Sequence, residues 1–217
     1  MKFLSPVLPA APERRDDFSA LAAALAQEQE PLSGALVERA VLTGQDLSGL
    51  ILEGVCLRNC RLTGCDLSGA QLTDVVFQDC DLSGSRFADG VWQRCALEDC
   101  KALGGDFRQC GAQHVSFTAC KLACANFSGQ RVRYARWSKC DLQGASMASC
   151  QWKQVELLDC SLSGVSFFQT PLSGLDLTSC RLEGLILSQD GGELRGAVVD
   201  RWQAAELAKR MGLVIKE

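Results

Sequence analysis

The side chains best suited to chemistry in this 217-residue chain are thirteen cysteines and a single histidine, His114. Seven of the cysteines, Cys60, Cys80, Cys100, Cys120, Cys140, Cys160 and Cys180, follow one another at intervals of twenty. Such thiols can form disulfides, hold a soft metal, or simply fill space. A metal site gathers its ligands around a tetrahedron, with short spacings such as C-x2-C, and an even ladder has the wrong shape. If equivalent residues stack, neighbouring Cβ vectors run side by side rather than toward each other, which disfavours bridging. Buried free cysteine behaves as a compact hydrophobe, so packing is the expectation. With one histidine, histidine-based metal centres and Ser-His-Asp triads lack parts. The carboxylates are scattered singly, with no cleft implied that would raise a pKa for acid chemistry. Glycines recur along the chain instead of marking one strand-to-helix junction, so neither a P-loop nor a dinucleotide fingerprint is present. No enzymatic activity and no cofactor or metal are expected.

What positions these residues is a period of five. From Leu32 to Leu187 every fifth residue is apolar, through Leu62, Phe77, Leu82, Phe87, Phe107, Phe117, Phe127 and Phe167, with Ala102 and Ala112 the smallest. Helices repeat at 3.6 residues and strands at two; a sustained five implies a repeat architecture. The cysteine ladder lies two residues before one set of centres, and Gly44, Gly64, Gly84, Gly104, Gly144, Gly164 and Gly184 lie two after that same set. Both beat at twenty, which describes a four-sided coil with one pentapeptide per side. Equivalent sides then stack about 4.8 Å apart, and about eight coils make a rod roughly 38 Å long.

Each position of the five has a role. The centre is large and points inward. The residue two before it also points inward and must be small, and eleven of the thirteen cysteines (all but Cys56 and Cys124) fall there. The other three positions face outward. Glycine two after the centre suits a type II corner along the side of Leu42, Leu62 and Leu82, whereas Asp79, Asp99 and Asp159 in that position suggest type I. His114 takes an outward corner.

Segments such as Cys65-Asp66-Leu67-Ser68-Gly69 and Cys80-Asp81-Leu82-Ser83-Gly84 resemble the A(D/N)LXX motif of the pentapeptide-repeat family, over about three quarters of the chain. That resemblance implies an all-β solenoid, a right-handed quadrilateral β-helix. The ending RWQAAELAKRMGLVIKE is similar to the C-terminus of Qnr-type quinolone-resistance proteins and other members. In the family this helix and tail cap the last coil and commonly form a two-fold dimer. A homodimer through Trp202, Leu207, Met211, Leu213 and Ile215 is therefore expected, against monomeric capping as the alternative.

The expected organisation is a tail and capping helix in 1–31, the repeats in 32–199, and a C-terminal helix and tail in 200–217. Residues 1–11 read as a Pro-containing tail. The helix runs from Pro12 to about Glu28 with Phe18, Leu21, Ala22 and Leu25 on one face, Pro12 opening it and Glu13 in its first turn. Pro31 stops it. An open solenoid end exposes strand edges and needs such a cap. Two extra residues interrupt the frame at Ser188–Gly192, a loop flexible by composition. Asp200 with Gln203 resembles a capping box.

A net charge of −4 favours neither a nucleic-acid binder nor a strongly acidic mimic. No apolar run reaches membrane-spanning length, and the cytoplasm is the expected location. Among topoisomerase-interacting members of the family, an acidic rod imitates DNA for gyrase and topoisomerase IV. The corresponding candidate surface here is Asp46, Asp66 and Asp106 on one side and Asp74, Asp79, Glu98 and Asp99 around another. Two features depart from that model: the repeat lacks the interrupting loops of Gram-negative Qnr proteins, and its charges are evenly mixed. A generic protein-interaction rod is the alternative. A basic cluster at Arg131, Arg133, Arg136 and Lys139, with Arg94, Lys101, Arg108 and Lys153 nearby, marks the middle of the rod. Direct nucleic-acid binding is not expected from it.

Overall fold

The computed structural model describes residues 3–210 and 212–215. Its chain winds as a parallel β-solenoid in which, along the repeats, a residue pairs with the one twenty further on, as in Leu52 with Leu72, Val91 with Gly111, and Trp137 with Leu157. About seven turns are complete, and an eighth stops at Leu187. Four sides result. The first is centred on Leu32, Leu52, Leu72, Trp92, Ala112, Val132, Trp152 and Leu172. The second runs from Val37 to Leu177, the third from Leu42 to Leu182, and the fourth from Leu47 to Leu187. In the middle of the rod the first and second sides merge into eight-residue strands, Val91–Glu98, Gly111–Thr118, Arg131–Ser138 and Gln151–Leu158. Each strand bends once, where Arg94, His114, Tyr134 and Gln154 take φ of 51°, 59°, 57° and 56°.

Every corner from Gly34 to Gly174 is left-handed, whatever residue occupies it. Asp79, Asp99 and Asp159 have φ of 53°, 53° and 52°, so the type I corners expected for them do not form. The ladder is the reason: Asp79 and Asp99 donate their N–H to the carbonyls of Glu98 and Thr118 in the next coil, both at 3.0 Å, and a differently turned corner would break that column. Type II closure on the third side, such as Ser85 N–H to the Leu82 carbonyl at 3.1 Å, begins only at Leu82. At Leu42 and Leu62 the corner is open, and Val41–Thr43 and Arg61–Thr63 pair as strands.

The interior is solid. Phe77, Phe87, Phe127 and Phe167 are fully buried, Phe107 and Phe117 nearly so, and Leu62 and Leu82 pack with them. Phe107 stacks on Phe87 at 5.2 Å and on Phe127 at 4.9 Å between ring centroids. All seven ladder cysteines are inside and free. Each thiol donates to a carbonyl twenty-three residues earlier, Cys80 to Leu57 and Cys100 to Phe77, both at 3.4 Å. Cys80 and Cys100 also accept the N–H of the preceding rung, from Cys60 and Cys80. Ser85, Gln130 and Thr170, at the same inward position, reach the carbonyls of Leu62, Phe107 and Met147 in the same way. The small inward residue is thus a packing unit that also spends its donor inside the coil.

Both ends are covered. The N-terminal helix α1 spans Phe18–Glu28 and buries Phe18, Ala22 and Ala26. It starts later than expected because Glu13–Arg14 is instead a strand paired with Ala35 and Leu36, adding a rung ahead of the first coil. At the other end the coil resumes two residues out of step, with Asp176 facing Val198. The intervening loop is pinned rather than free: the buried Glu193 carboxylate accepts N–H groups from Gln169 at 2.9 Å and Ser188 at 3.0 Å. Helix α2, Arg201–Arg210, carries the expected capping box, since Asp200 caps the N–H of Gln203 at 2.8 Å and Gln203 returns a bond to Asp200. The Gln203 carboxamide also donates to the carbonyls of Leu177 and Cys180, tying α2 to the last coil.

Candidate interaction surfaces

The N-terminal tail is a working part of the surface. Residues 3–12 lie along the corner between the first and second sides and cross several coils. Pro9 stands over Gly34 and Gly54. The Val7 N–H donates to Asp74 at 2.9 Å, and the Leu4 N–H donates to His114 Nδ1 at 3.2 Å. Phe3 meets the His114 ring edge-on at 5.9 Å, Tyr134 stacks beneath it at 4.7 Å, and Arg136 lies 5.6 Å from the centre of the Phe3 ring. His114 therefore points outward from the coil, as its position requires, yet is 2% exposed. Burial, with Arg94 nearby, holds its pKa below the usual histidine value. The sequence carried a signal for this strap. Leu36, Cys56, Val76 and Ala96 form an apolar column at outward positions, and Leu8, Pro9 and Pro12 close over Leu36 and Cys56.

The expected acidic surface does not assemble. Asp46, Asp66 and Asp106 do share the fourth side, but Arg86 stands between them, 3.8 Å from both Asp66 and Asp106, and Arg108 binds Asp106 at 2.7 Å. Asp74 sits at a different corner and is held by Arg94 through two bonds of 2.7 and 2.5 Å. That pairing keeps its carboxyl well below the usual aspartate range. Asp79, Glu98 and Asp99 lie beyond the second side. The seven carboxylates are thus spread over separate faces, and two of the three best placed to align, Asp66 and Asp106, are partly neutralised.

The basic cluster divides as well. Arg136 is on the second side and pairs with Glu156 at 2.6 Å, and Lys139 lies at the next corner. Arg131 and Arg133 face outward on the first side, where Lys153 joins them across the strand register.

At the C-terminus Leu207 packs against the core from α2, so it caps the coil instead of standing free. Trp202 is 69% exposed, and Leu213, Val214 and Ile215 are exposed too; Met211 lies outside the described residues. Phe168, Ile186 and Val198 extend the exposed apolar surface over this third of the rod. Among the described residues no His, Cys, Asp or Glu side chains gather as a metal site, and no helix is long and apolar enough to cross a membrane.

These features define a repeat protein of the parallel, four-sided solenoid class. The pentapeptide repeat region model matches residues 91–167, and the pentapeptide repeats model matches 32–64 and 57–89. The chain belongs to the pentapeptide-repeat family, with its right-handed quadrilateral β-helix. Two trypsin-treated variants of QnrB1, a plasmid-mediated fluoroquinolone resistance protein, are similar in structure. One is 20% identical with a TM-score of 0.51, covering 84% of this chain and 100% of the other. The second is 22% identical with a TM-score of 0.52, covering 82% and 99%. No curated protein matches the sequence.

Proposed function

We propose that this chain is a non-enzymatic, rigid interaction rod that presents columns of side chains to a protein partner. The observation that carries this reading is the solid interior: apolar centres and hydrogen-bonded thiols fill the coil, so the outer columns are what remains to act. Photo-crosslinking amino acids placed singly at the exposed Gln151, Thr118, Lys121 and Ser48, one on each side, test it in cells. One side should capture a discrete partner. Uniform capture from all four, or none from any, would overturn the proposal.

A finer reading, binding of type II topoisomerase and modulation of quinolone susceptibility, is favoured by the likeness to QnrB1 over nearly the full length of both chains. The neutralised carboxylates on the fourth side weigh against mimicry of DNA through that face. Supercoiling by purified gyrase, with and without a quinolone, decides it; no effect at micromolar protein leaves the interaction rod alone. The exposed Trp202 and Ile215 support a homodimer formed end to end through the C-terminus, in the cytoplasm. Light scattering of the wild type and of Trp202→Glu with Ile215→Glu tests the contact. A dimer that becomes monomeric agrees, and a monomeric wild type refutes it.

A further inference from the structure

The first side differs from the other three in its charge. Apart from its corner column, where Asp74 and Arg94 pair with each other, its outward positions from Pro31 to Ser173 hold one acid, Glu53, near the N-terminal end, and three bases, Arg131, Arg133 and Lys153, toward the other. The strand register sets Arg133 beside Lys153 and leaves Arg131 on the same strand as Arg133, two residues away. Among the described residues none of the three forms an ion pair, whereas Arg58, Arg86, Arg94, Arg108 and Arg136 on other faces do. Three like charges within a few ångströms repel one another, and an arrangement without counter-charge is relieved by an anion supplied from outside.

The shape fits an elongated guest. A groove of about 890 Å³ lies over this side and reaches from Val91 to Pro171. Its depth comes from Gly111, which puts no side chain outside the sheet where the neighbouring coils carry Val91 and Arg131, and from the small inward Ala112, set between Trp92 and Val132. Half-buried Trp152 forms part of the floor, and Gln93, Gln113, Gln151 and Gln169 supply carboxamides along the walls. The cations sit toward one end of a channel crossing four coil spacings, about 19 Å at the usual distance between strands.

We propose that this groove is the partner-docking surface, and that its occupant is an extended acidic segment of a partner protein lying along the rod axis. The proposal rests on the interaction-rod reading above and assigns that role to one side. A short segment is favoured over a nucleic acid because the positive field is local. Asp89 stands at the rim of the depression that continues the groove, Glu156 lies just over the corner, and the chain as a whole is negative. A long polyanion would run onto these carboxylates, and a segment of a few residues would not. Glutamine carboxamides offer both donors and acceptors, which suits a peptide backbone as well as its side chains.

The probe is a fluorescein-labelled peptide of alternating Glu and Ser, long enough to cross the four coils. Its anisotropy is followed with the full-length protein at low and moderate salt. Arg133→Glu with Lys153→Glu should weaken binding by about tenfold or more, because two attractive pairs become repulsive. Arg61→Glu with Lys101→Glu, on the third side, changes net charge by the same amount and should leave affinity within about twofold. Equal losses in both variants would reduce the effect to bulk charge and overturn the assignment, as would no binding to the wild type. Tighter binding of a single-stranded oligothymidylate of equal charge would replace the acidic peptide with nucleic acid. If crosslinks capture a partner while this peptide is ignored, the rod reading stands and the groove assignment falls; if neither occurs, both fall.

Discussion

Replacing Phe107 with alanine is the most direct measure of how rigid the coil is. Phe107 is 1% exposed and touches four aromatic rings: Phe87 and Phe127 stack on it, while Trp92 and Phe117 meet it edge-on at 5.9 and 6.3 Å. The inward position two residues before it is equally tight, since a side chain at Gly105 would begin 2.9 Å from the Phe107 ring. Truncating a buried Phe costs about 3–5 kcal/mol, with the larger values where surroundings cannot collapse. Here the backbone on either side is fixed by ladder bonds, Phe107 N–H to the Asn126 carbonyl at 2.7 Å and Asp106 N–H to Ser85 at 2.9 Å. Two stacked pairs are lost in addition, each about 0.5–1.5 kcal/mol beyond area burial. The expected cost is therefore in the upper part of the range, about 4–5 kcal/mol. Urea unfolding followed by circular dichroism gives the total. Because stacked repeats open in segments, hydrogen exchange should show the loss centred on coils 87 to 127. A cost below about 2 kcal/mol would mean that the cavity closes, and the rigid-coil argument would be wrong.

Other expectations follow from the same contacts. His114 accepts the Leu4 N–H only when Nδ1 is unprotonated, and its pKa is lowered in the folded state by burial and by Arg94. Its contribution to tail docking is thus complete above about 6.5 and is lost as pH falls through the lowered value. Asp74 stays ionised across that window and is held by Arg94, while Arg136 adds positive charge above Phe3. Exchange of the Leu4 amide should accelerate as pH falls through the lowered His114 value in the wild type and be pH-flat beyond its intrinsic rate in His114→Leu; an identical profile in both would dismiss the histidine. Native thiol labelling should be fast at Cys124 alone, the one exposed cysteine, with Cys95 and Cys110 pushed up to about 12 by burial and slow to react. Rapid labelling of the ladder would mean that the coil opens readily. Glu193→Ala should expose the N–H groups of Gln169 and Ser188 and destabilise the C-terminal cap by about 1–3 kcal/mol, read as faster proteolysis near Ser188 with the central coils unchanged.

The sequence made the coil legible because one periodicity governs both burial and hydrogen bonding. Leu62, Phe107 and the cysteine ladder are forced inward by the same spacing that pairs them. What escaped was set by contacts between distant segments. Glu13 and Arg14 have no strand pattern of their own and become a strand because Ala35 and Leu36 offer an edge. The tail's path was written in Leu36, Cys56, Val76 and Ala96, but only as an unexplained apolar column. Leu207 looked available for dimerisation until α2 was oriented by Gln203 on the Leu177 and Cys180 carbonyls. The carboxylates failed for a related reason. Counting acids along the chain finds Asp46, Asp66 and Asp106, whereas their charge depends on Arg86 one coil away.

Because paired residues are always twenty apart from the second coil to Leu158, distance along the chain acts as an angle around the rod. Removing five residues after Asn59 would leave every apolar centre apolar but rotate all that follows by a quarter turn. His114 would then occupy the place of Gln109, and the tail would find its anchor on another edge. Removing twenty would restore the orientation and draw the same anchor about 4.8 Å closer. The tail spans a set number of rungs, so it gauges the length of the solenoid as well as its phase. A variant can keep a sound core and still be mis-indexed on its outside.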